Sequence, residues 1–140
     1  MSERVPYLRA VVLDAEDIRA VADFWRVLLG FSYKPGHETV DPQGDDWLVL
    51  CDRAGVARLA IQRVGSLPTS TWPDPRIPQQ LHLDLTVADK AELAEQRDRA
   101  LELGATILED RFDDPRESLI VFADPAGHPF CIFVSPDHPS

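Results

Sequence analysis

The sequence predicts an α+β fold in which one strand–helix–three-strand pattern (βαβββ) occurs twice in 140 residues. Three observations predict it: short β-branched apolar runs between turn residues, two amphipathic helical segments, and the return of the same order in the second half. Each helical segment has an aspartate at its N-cap position (Asp17, Asp89) and a glycine at its end (Gly30, Gly104), at nearly the same spacing. Because one such module leaves a sheet face uncovered, we expect two modules to form a concave mixed sheet around a pocket.

The first module is predicted over about residues 7–64. The run YLRAVVLD at 7–14 is typical of a buried strand. In DIRAVADFWRVLLG at 17–30, apolar residues recur at helical spacing on one face, which predicts a helix. Three further strands are expected at 31–35, 47–52 and 58–64.

A connector at 65–78 contains four prolines and shows no periodicity, so we expect it to be extended. The second module follows over about 79–135. It is predicted to contain a helix over 89–104 that begins with a capping box from Asp89 to Glu92. The apolar face of this helix is predicted to comprise Leu93, Ala94, the stem of Arg97, Ala100 and Leu101. The predicted strands are 80–87, 105–112, 118–123 and 130–134.

Charge and composition exclude several classes of function. Lys and Arg total 14 against 24 Asp and Glu, a net charge of −10, so we expect no nucleic-acid partner and no attraction to anionic membranes. No apolar run approaches the ~20 residues that span a bilayer. The N-terminal residues MSERVPYLRA lack an apolar signal segment, which predicts a cytoplasmic protein. There, Cys51 and Cys131 are expected to be reduced and buried.

Three segments carry a resemblance to a known family: DFWRVLLGF at 23–31, HLDLTV at 82–87 and DPAGHPFCIF at 124–133. With the repeated βαβββ order, the sequence resembles the vicinal oxygen chelate superfamily, which includes glyoxalases, bleomycin-resistance proteins and extradiol dioxygenases. The likeness covers about residues 7–135 and is strongest to the glyoxalase-like subgroup. It implies one domain over 1–140 and a homodimer, the commonest closed assembly.

Alternation along the predicted strands places several polar side chains on one face. In the 80–87 strand, His82, Asp84 and Thr86 oppose an apolar face of Leu81, Leu83, Leu85 and Val87. The same argument directs Gln62 and Cys131 to the concave side, with Trp47 closing one edge. A concave surface with a few convergent polar groups predicts a small-molecule site, for which the binding residues would be Gln62, His82, Asp84, Cys131 and Trp47.

The resemblance also implies a metal ligand on each of four strands, and this sequence matches those positions only in part. They fall on Ala10, on Ala60 or Gln62, on His82 and on Cys131. Alanine has no lone pair to give, and cysteine suits softer ions than this family favours. Only His82 matches a ligand of the family in type, so we expect no cofactor. A divalent metal is the less favoured alternative. Weak zinc binding by His82 and Cys131 would not contradict the expectation of no cofactor.

These observations favour a glyoxalase-like small-molecule-binding protein with an incomplete metal site, of the kind that confers antibiotic resistance by sequestration. One alternative is a lyase or isomerase that uses His82 and Asp84 as its catalytic acid and base. The other is a metal-dependent glyoxalase or dioxygenase. The sequence does not decide between binding and catalysis, and it does not name the ligand.

Overall fold

The computed structural model describes residues 4–79 and 81–139. The chain divides into two compact units, Met1–Gly65 and Ser66–Ser140, and each contains one βαβββ module. The two predicted modules are therefore confirmed. That the two units together form a single domain stays a prediction.

The first module is a four-stranded mixed sheet with one helix. Its elements are β1 (Val11–Ala15), α1 (Ile18–Leu29), β2 (Ser32–Tyr33), β3 (Trp47–Cys51) and β4 (Ala57–Arg63). The strand order is β1-β4-β3-β2, in which β1 and β4 are parallel and the other pairs are antiparallel.

The second module repeats this topology. Its elements are β5 (Leu83–Val87), α2 (Lys90–Glu102), β6 (Thr106–Arg111), β7 (Leu119–Ala123) and β8 (Pro129–Val134). The order is β5-β8-β7-β6, with β5 parallel to β8 and the remaining pairs antiparallel. The fold is thus α+β, as predicted. Among the described residues, neither helix has the length and apolar character that crossing a bilayer would require.

The predicted beginnings of the two parallel strands were wrong by a few residues. β1 begins at Val11, where its pairing with β4 begins, and not at residue 7. β5 begins at Leu83, where it first pairs with Phe130, and not at residue 80. Leu81 precedes this pairing and is exposed instead of packing on the apolar face. Gln80, the first residue of the predicted strand, lies outside the described residues.

The predicted 31–35 strand is also shorter, because a turn ends it. β2 comprises only Ser32 and Tyr33, and Gly36 follows at a φ of 98°. Beyond β2, the His37 ring takes the place of a neighbouring strand, because its Nδ1 accepts a hydrogen bond from the Val49 amide at 3.0 Å.

Both helices begin where their N-cap aspartates predict. Asp17 accepts a hydrogen bond from the Ala20 amide (3.2 Å), and Asp89 accepts one from the Glu92 amide (2.8 Å). The Glu92 carboxylate in turn accepts from the Ala88 amide at 2.8 Å, so the predicted reciprocal cap forms one residue earlier than in the standard box.

The helices differ in how much they bury. The buried residues of α1 are Ile18, Val21, Ala22, Phe24, Trp25 and Leu28, whereas those of α2 are only Leu93 and Ala100. The predicted apolar face of α2 was too wide at Leu101, which is 40 % exposed. Arg97, whose stem was predicted to pack, lies over the Phe112 ring, with its guanidinium carbon 5.2 Å from the ring centre. α2 is consequently held to its sheet mainly by one large side chain.

The two modules also repeat one hairpin, from β3 to β4 and from β7 to β8. In each, an aspartate (Asp52 or Asp124) accepts hydrogen bonds at 2.9–3.0 Å from the amides two and four residues later. Three residues after it, Gly55 and Gly127 have φ values of 82° and 92°, a conformation that favours glycine. The second hairpin begins the strand that carries Cys131.

An arginine of the first helix holds the long segment between β2 and β3. The Arg19 guanidinium pairs with both carboxylate oxygens of Asp45 (2.8 and 3.0 Å) and donates to the carbonyls of His37 and Thr39 (both 2.7 Å). The hydrogen bond from Arg19 lowers the pKa of Asp45 below its ordinary value. This bidentate contact ties 37–45 to α1.

Candidate functional site

The register of the second sheet places two rows of side chains on one face. Strand neighbours in the first row are Asp84, Cys131, Val121 and Glu109, and those in the second are Thr86, Phe133, Leu119 and Arg111. The opposite face carries the buried residues Phe122, Phe130, Ile120 and Ile132. The first face is therefore the one that mixes polar and apolar groups, and it forms the floor of the candidate site.

A β-bulge on β6 sets the direction of two of these side chains. Ile107 pairs with Phe122, but the next pair is Glu109 with Val121, so Leu108 is an extra residue. Without the bulge, strict alternation would place Glu109 and Arg111 on the opposite face. The bulge therefore adds a carboxylate and a guanidinium to the site, and sequence reasoning missed both.

His82 and Asp84, the predicted functional pair, lie together at the beginning of β5. His82 directly precedes the strand, and its Nε2 is 3.2 Å from Oδ1 of Asp84. The indole of Trp72 stacks on the His82 ring, with 4.5 Å between ring centres and 19° between planes. Trp72 belongs to the Pro-rich connector, and its aromatic character was the only sequence signal that could have placed it here.

Thr86, the third polar residue of this face, is already engaged. Its Oγ1 lies 2.8 Å from Nδ1 of His138, close to the C-terminus. The polar groups of this face that stay accessible are therefore Asp84 on β5 and His82 just before it.

The surroundings of Cys131 disfavour the thiolate form of its side chain. Cys131 is 4 % exposed and lies opposite Asp84 in the pairing of β5 with β8. Burial, followed by the negative charge of Asp84, raises the pKa of this thiol from 9.0 to about 11. A nucleophilic cysteine needs a lowered pKa, so this environment disfavours a Cys–His catalytic pair.

His82, Asp84 and Cys131 together form a group of possible metal ligands. The three ligand atoms all lie within 4.8 Å of one another. The fold therefore places Asp84 and Cys131 beside His82 as two further possible donors, and whether a metal binds there stays a prediction. The structure has a possible His/Asp/Cys metal-binding group, contributed entirely by the second module.

The corresponding positions of the first module carry no donor side chain. Ala10 directly precedes β1 as His82 precedes β5, and Val12 pairs with Ala60 as Asp84 pairs with Cys131. This pairing makes Ala60, rather than Gln62, the counterpart of Cys131. Ala60 is buried against Val49 and Cys51, so the counterpart of Cys131 lies among apolar side chains.

A pocket of about 260 Å³, here called the β5–β8 pocket, lies over this floor. Its lining comprises Trp72, Pro73, His82, Asp84, Glu109, Arg111, Glu117, Leu119, Val121, Cys131 and Phe133. Within residues 4–79 and 81–139, Arg111 takes part in none of the ion pairs. Its guanidinium can therefore receive an anionic group.

The remaining predicted binding residues lie in the first unit. Trp47 and Gln62 are register partners on β3 and β4, and both are exposed. The predicted set thus forms two groups, Trp47 with Gln62 and His82 with Asp84 and Cys131. That both groups touch one ligand stays a prediction.

Comparisons with solved structures place this architecture among known proteins. The chain is similar to a hypothetical protein from S. aureus (17 % identity, TM-score 0.65, covering 95 % of this chain and 96 % of the other). It is similar to a possible glyoxalase from Bacillus cereus (12 %, TM-score 0.62, 92 % and 99 %). It is also similar to the fosfomycin resistance protein FosX from Listeria monocytogenes (17 %, TM-score 0.65, 95 % and 95 %), a variant of which was solved with Mn(II) and 1S,2S-dihydroxypropylphosphonic acid.

At these identities the likeness shows the fold alone, and no curated protein matches the sequence. A family model is stronger evidence of family membership than these structural matches, because it matches the sequence itself over most of its length. The model described as a glyoxalase-like domain matches residues 10–133, which include β1, both helices and the His82, Asp84 and Cys131 group. The chain therefore belongs to the glyoxalase-like domain family, within the vicinal oxygen chelate superfamily.

Proposed function

We propose that the protein binds a small organic anion in the β5–β8 pocket. The observation that carries the proposal is the combination of Arg111, which forms no ion pair with another described residue, and a flat aromatic wall, Trp72 stacked on His82, around one cavity. A few polar groups that orient a ligand, set among apolar walls, are the usual composition of a small-molecule site.

The lining restricts the chemistry of the ligand. Arginine binds carboxylate and phosphonate groups through two parallel hydrogen bonds, so Arg111 favours an anionic head group. Asp84, Glu109 and Glu117 line the same cavity and favour hydroxyl or amino donors on the ligand. Leu119, Val121 and Phe133 supply apolar walls. The ligand class is therefore a small hydroxy or amino acid, or its phosphonate counterpart.

The size of the cavity supports a small ligand. At about 260 Å³ it lies just below the range of roughly 300–1,000 Å³ that is usual for drug-sized molecules. The dihydroxypropylphosphonic acid in the FosX structure is a small anion with two hydroxyl groups, the same chemical class. On the proposed function, sequestration of a small anionic antibiotic is the form that resistance would take.

The divalent metal that this fold family implies fits the chain poorly as a manganese-type centre. Mn(II) prefers carboxylate, carbonyl and water oxygens, whereas this site offers a thiol beside one carboxylate and one imidazole. The first module adds alanines at the other two positions. The proposed binding therefore uses the chain's own charged groups and requires no metal.

A thermal-shift screen of the full chain in the presence of a chelator tests this proposal. The panel contains small hydroxy acids, amino acids and phosphonates, with uncharged analogues of each. The variants are Arg111→Gln, Trp72→Ala and Asp84→Asn, with Arg116→Gln as the matched control, since Arg116 lines a neighbouring depression but not this pocket.

We expect anionic compounds to stabilise the wild type and Arg116→Gln equally. Arg111→Gln should lose about 10- to 100-fold in affinity, the loss of a charged hydrogen-bond pair. The proposal fails if anionic compounds bind no better than uncharged ones, or if they stabilise Arg111→Gln as strongly as Arg116→Gln.

An acid–base enzyme of the lyase or isomerase type is the second candidate, and the 3.2 Å contact between His82 and Asp84 favours it. Such a pair can accept a proton from a bound substrate and return it elsewhere. Turnover of a bound compound that is lost in both His82→Gln and Asp84→Asn, while binding is kept, would select this candidate over simple sequestration.

A further inference from the structure

We propose that His82, Asp84 and Cys131 form a binding site for a thiophilic divalent cation, with Zn(II) as the ion that matches their chemistry. The site is complete within the second module and does not use the first-module positions that the family resemblance implies. It goes beyond the proposed anion binding, which needs no metal.

The spacing of the three side chains supports a compact site. A tetrahedral zinc ion with bonds of about 2.0–2.3 Å holds its donors roughly 3.3–3.8 Å apart. His82 Nε2 and Asp84 Oδ1 are already 3.2 Å apart, and all three ligand atoms lie within 4.8 Å. A rearrangement of about 1 Å in the widest pair is therefore sufficient, within the reach of side-chain torsions.

The protein holds these side chains in place before any ion binds. Trp72 stacks on the His82 ring, and the Asp84 carboxylate lies 3.2 Å from Nε2 of the same ring. The register of β5 and β8 places Asp84 and Cys131 directly opposite each other. Groups that orient ligands in this way raise metal affinity, because less freedom is lost on binding.

The donor types select the ion. Imidazole, carboxylate and thiolate are all zinc ligands, and three protein donors leave a fourth position for water or a ligand, as in catalytic zinc sites. Thiolate donors favour Zn(II) over Mn(II). The thiolate of Cys131 therefore makes this a soft-ion donor set.

Spectroscopy of the Co(II)-loaded protein tests this directly. The full chain is purified without an affinity tag, stripped with a chelator and titrated with Co(II), and then with Zn(II) and Mn(II) against a chromophoric competitor. The variants are Cys131→Ser, Cys131→Glu and Asp84→Asn. The matched control is Cys51→Ala, which removes the other buried cysteine.

We expect the wild type and Cys51→Ala to show a thiolate-to-Co(II) charge-transfer band and tetrahedral d–d absorption. Cys131→Ser should lose the charge-transfer band and bind Zn(II) at least about tenfold more weakly, since removal of even an outer-shell partner costs 10- to 100-fold. Most protein sites prefer Zn(II) to Mn(II). The decisive quantity is therefore the Zn/Mn affinity ratio, which should fall by about tenfold or more in Cys131→Glu.

Two results would overturn the proposal. One is a wild-type protein that gives no charge-transfer band with Co(II), a measurement that does not depend on any variant folding. The other is a Zn/Mn ratio that is the same in the wild type and in Cys131→Glu, with both proteins folded by circular dichroism. Neither result bears on anion binding, which is measured with the metal removed.

Discussion

Replacing Leu93 with alanine should destabilise the protein far more than the same change at Leu101, a partly exposed residue of the same helix. Leu93 has 0 % exposure and is the one large side chain that α2 buries, whereas Leu101 on the same helix is 40 % exposed. Since α2 contacts β5, β6 and β8, its attachment supports the sheet that carries His82, Asp84 and Cys131.

The magnitude follows from burial. A fully buried Leu→Ala change costs about 2–5 kcal/mol, the sum of lost transfer free energy and the cavity left behind. For 140 residues, an unfolding entropy of roughly 0.3 kcal/mol per kelvin converts this into a fall in Tm of about 7–17 °C. Leu101→Ala removes atoms that are already in partial contact with water, so it should cost under about 1 kcal/mol, or roughly 3 °C.

Thermal unfolding followed by circular dichroism measures both variants. Metal and ligand titrations show whether each variant still binds. Each titration is made at a temperature 20 °C lower than that variant's own Tm, so that the variants are compared at similar stability. We expect Leu93→Ala to weaken both kinds of binding and Leu101→Ala to leave them unchanged. Equal destabilisation by the two variants would refute the inference that α2 is anchored by Leu93.

Three further predictions concern other parts of the chain. Gly127→Ala should lower the free energy of unfolding by about 1–2 kcal/mol, measured by urea unfolding. The cause is the backbone, because φ is 92° there, whereas the added methyl group would meet Thr69 at an unstrained 3.7 Å. An unchanged urea midpoint would contradict this. Because Arg19 lowers the pKa of Asp45 from 3.8, their contact stabilises the folded state fully above about pH 4, and this contribution is lost as the pH falls through the lowered pKa. Asp45→Asn should therefore lose less stability than the wild type between pH 7 and pH 3. Asp46→Asn removes only an exposed pair with Arg63 and should follow the wild type closely. Light scattering should report a homodimer of about 31 kDa, twice the 15.7 kDa chain, and a monomeric mass at micromolar concentration would count against it.

Much of the fold could be predicted because it depends on local patterns. The N-cap aspartates, the terminal glycines and the helical spacing between them determine where α1 and α2 lie, and these signals act within one or two turns. The strand ends were less accurate, since β1 and β5 begin only where a distant partner strand begins. That partner is not visible in the local sequence.

The part of the candidate site that depends on strand alternation could be predicted from the sequence. Alternation alone placed Asp84 and Cys131 on one face, and the structure sets them opposite each other on β5 and β8. The resemblance singled out His82 and the missing donors at Ala10 and Ala60. Thus the sequence by itself determined the two modules and the face that carries the polar groups, and it predicted that donors are missing at Ala10 and Ala60.

Only the tertiary structure decided what completes the site. The bulge at Leu108 reverses the alternation of β6 and turns Glu109 and Arg111 toward Asp84 and Cys131. The connector brings Trp72 onto the His82 ring. Neither follows from the local sequence, because a bulge is specified by the pairing of two strands and the path of an aperiodic connector by the surface it packs on.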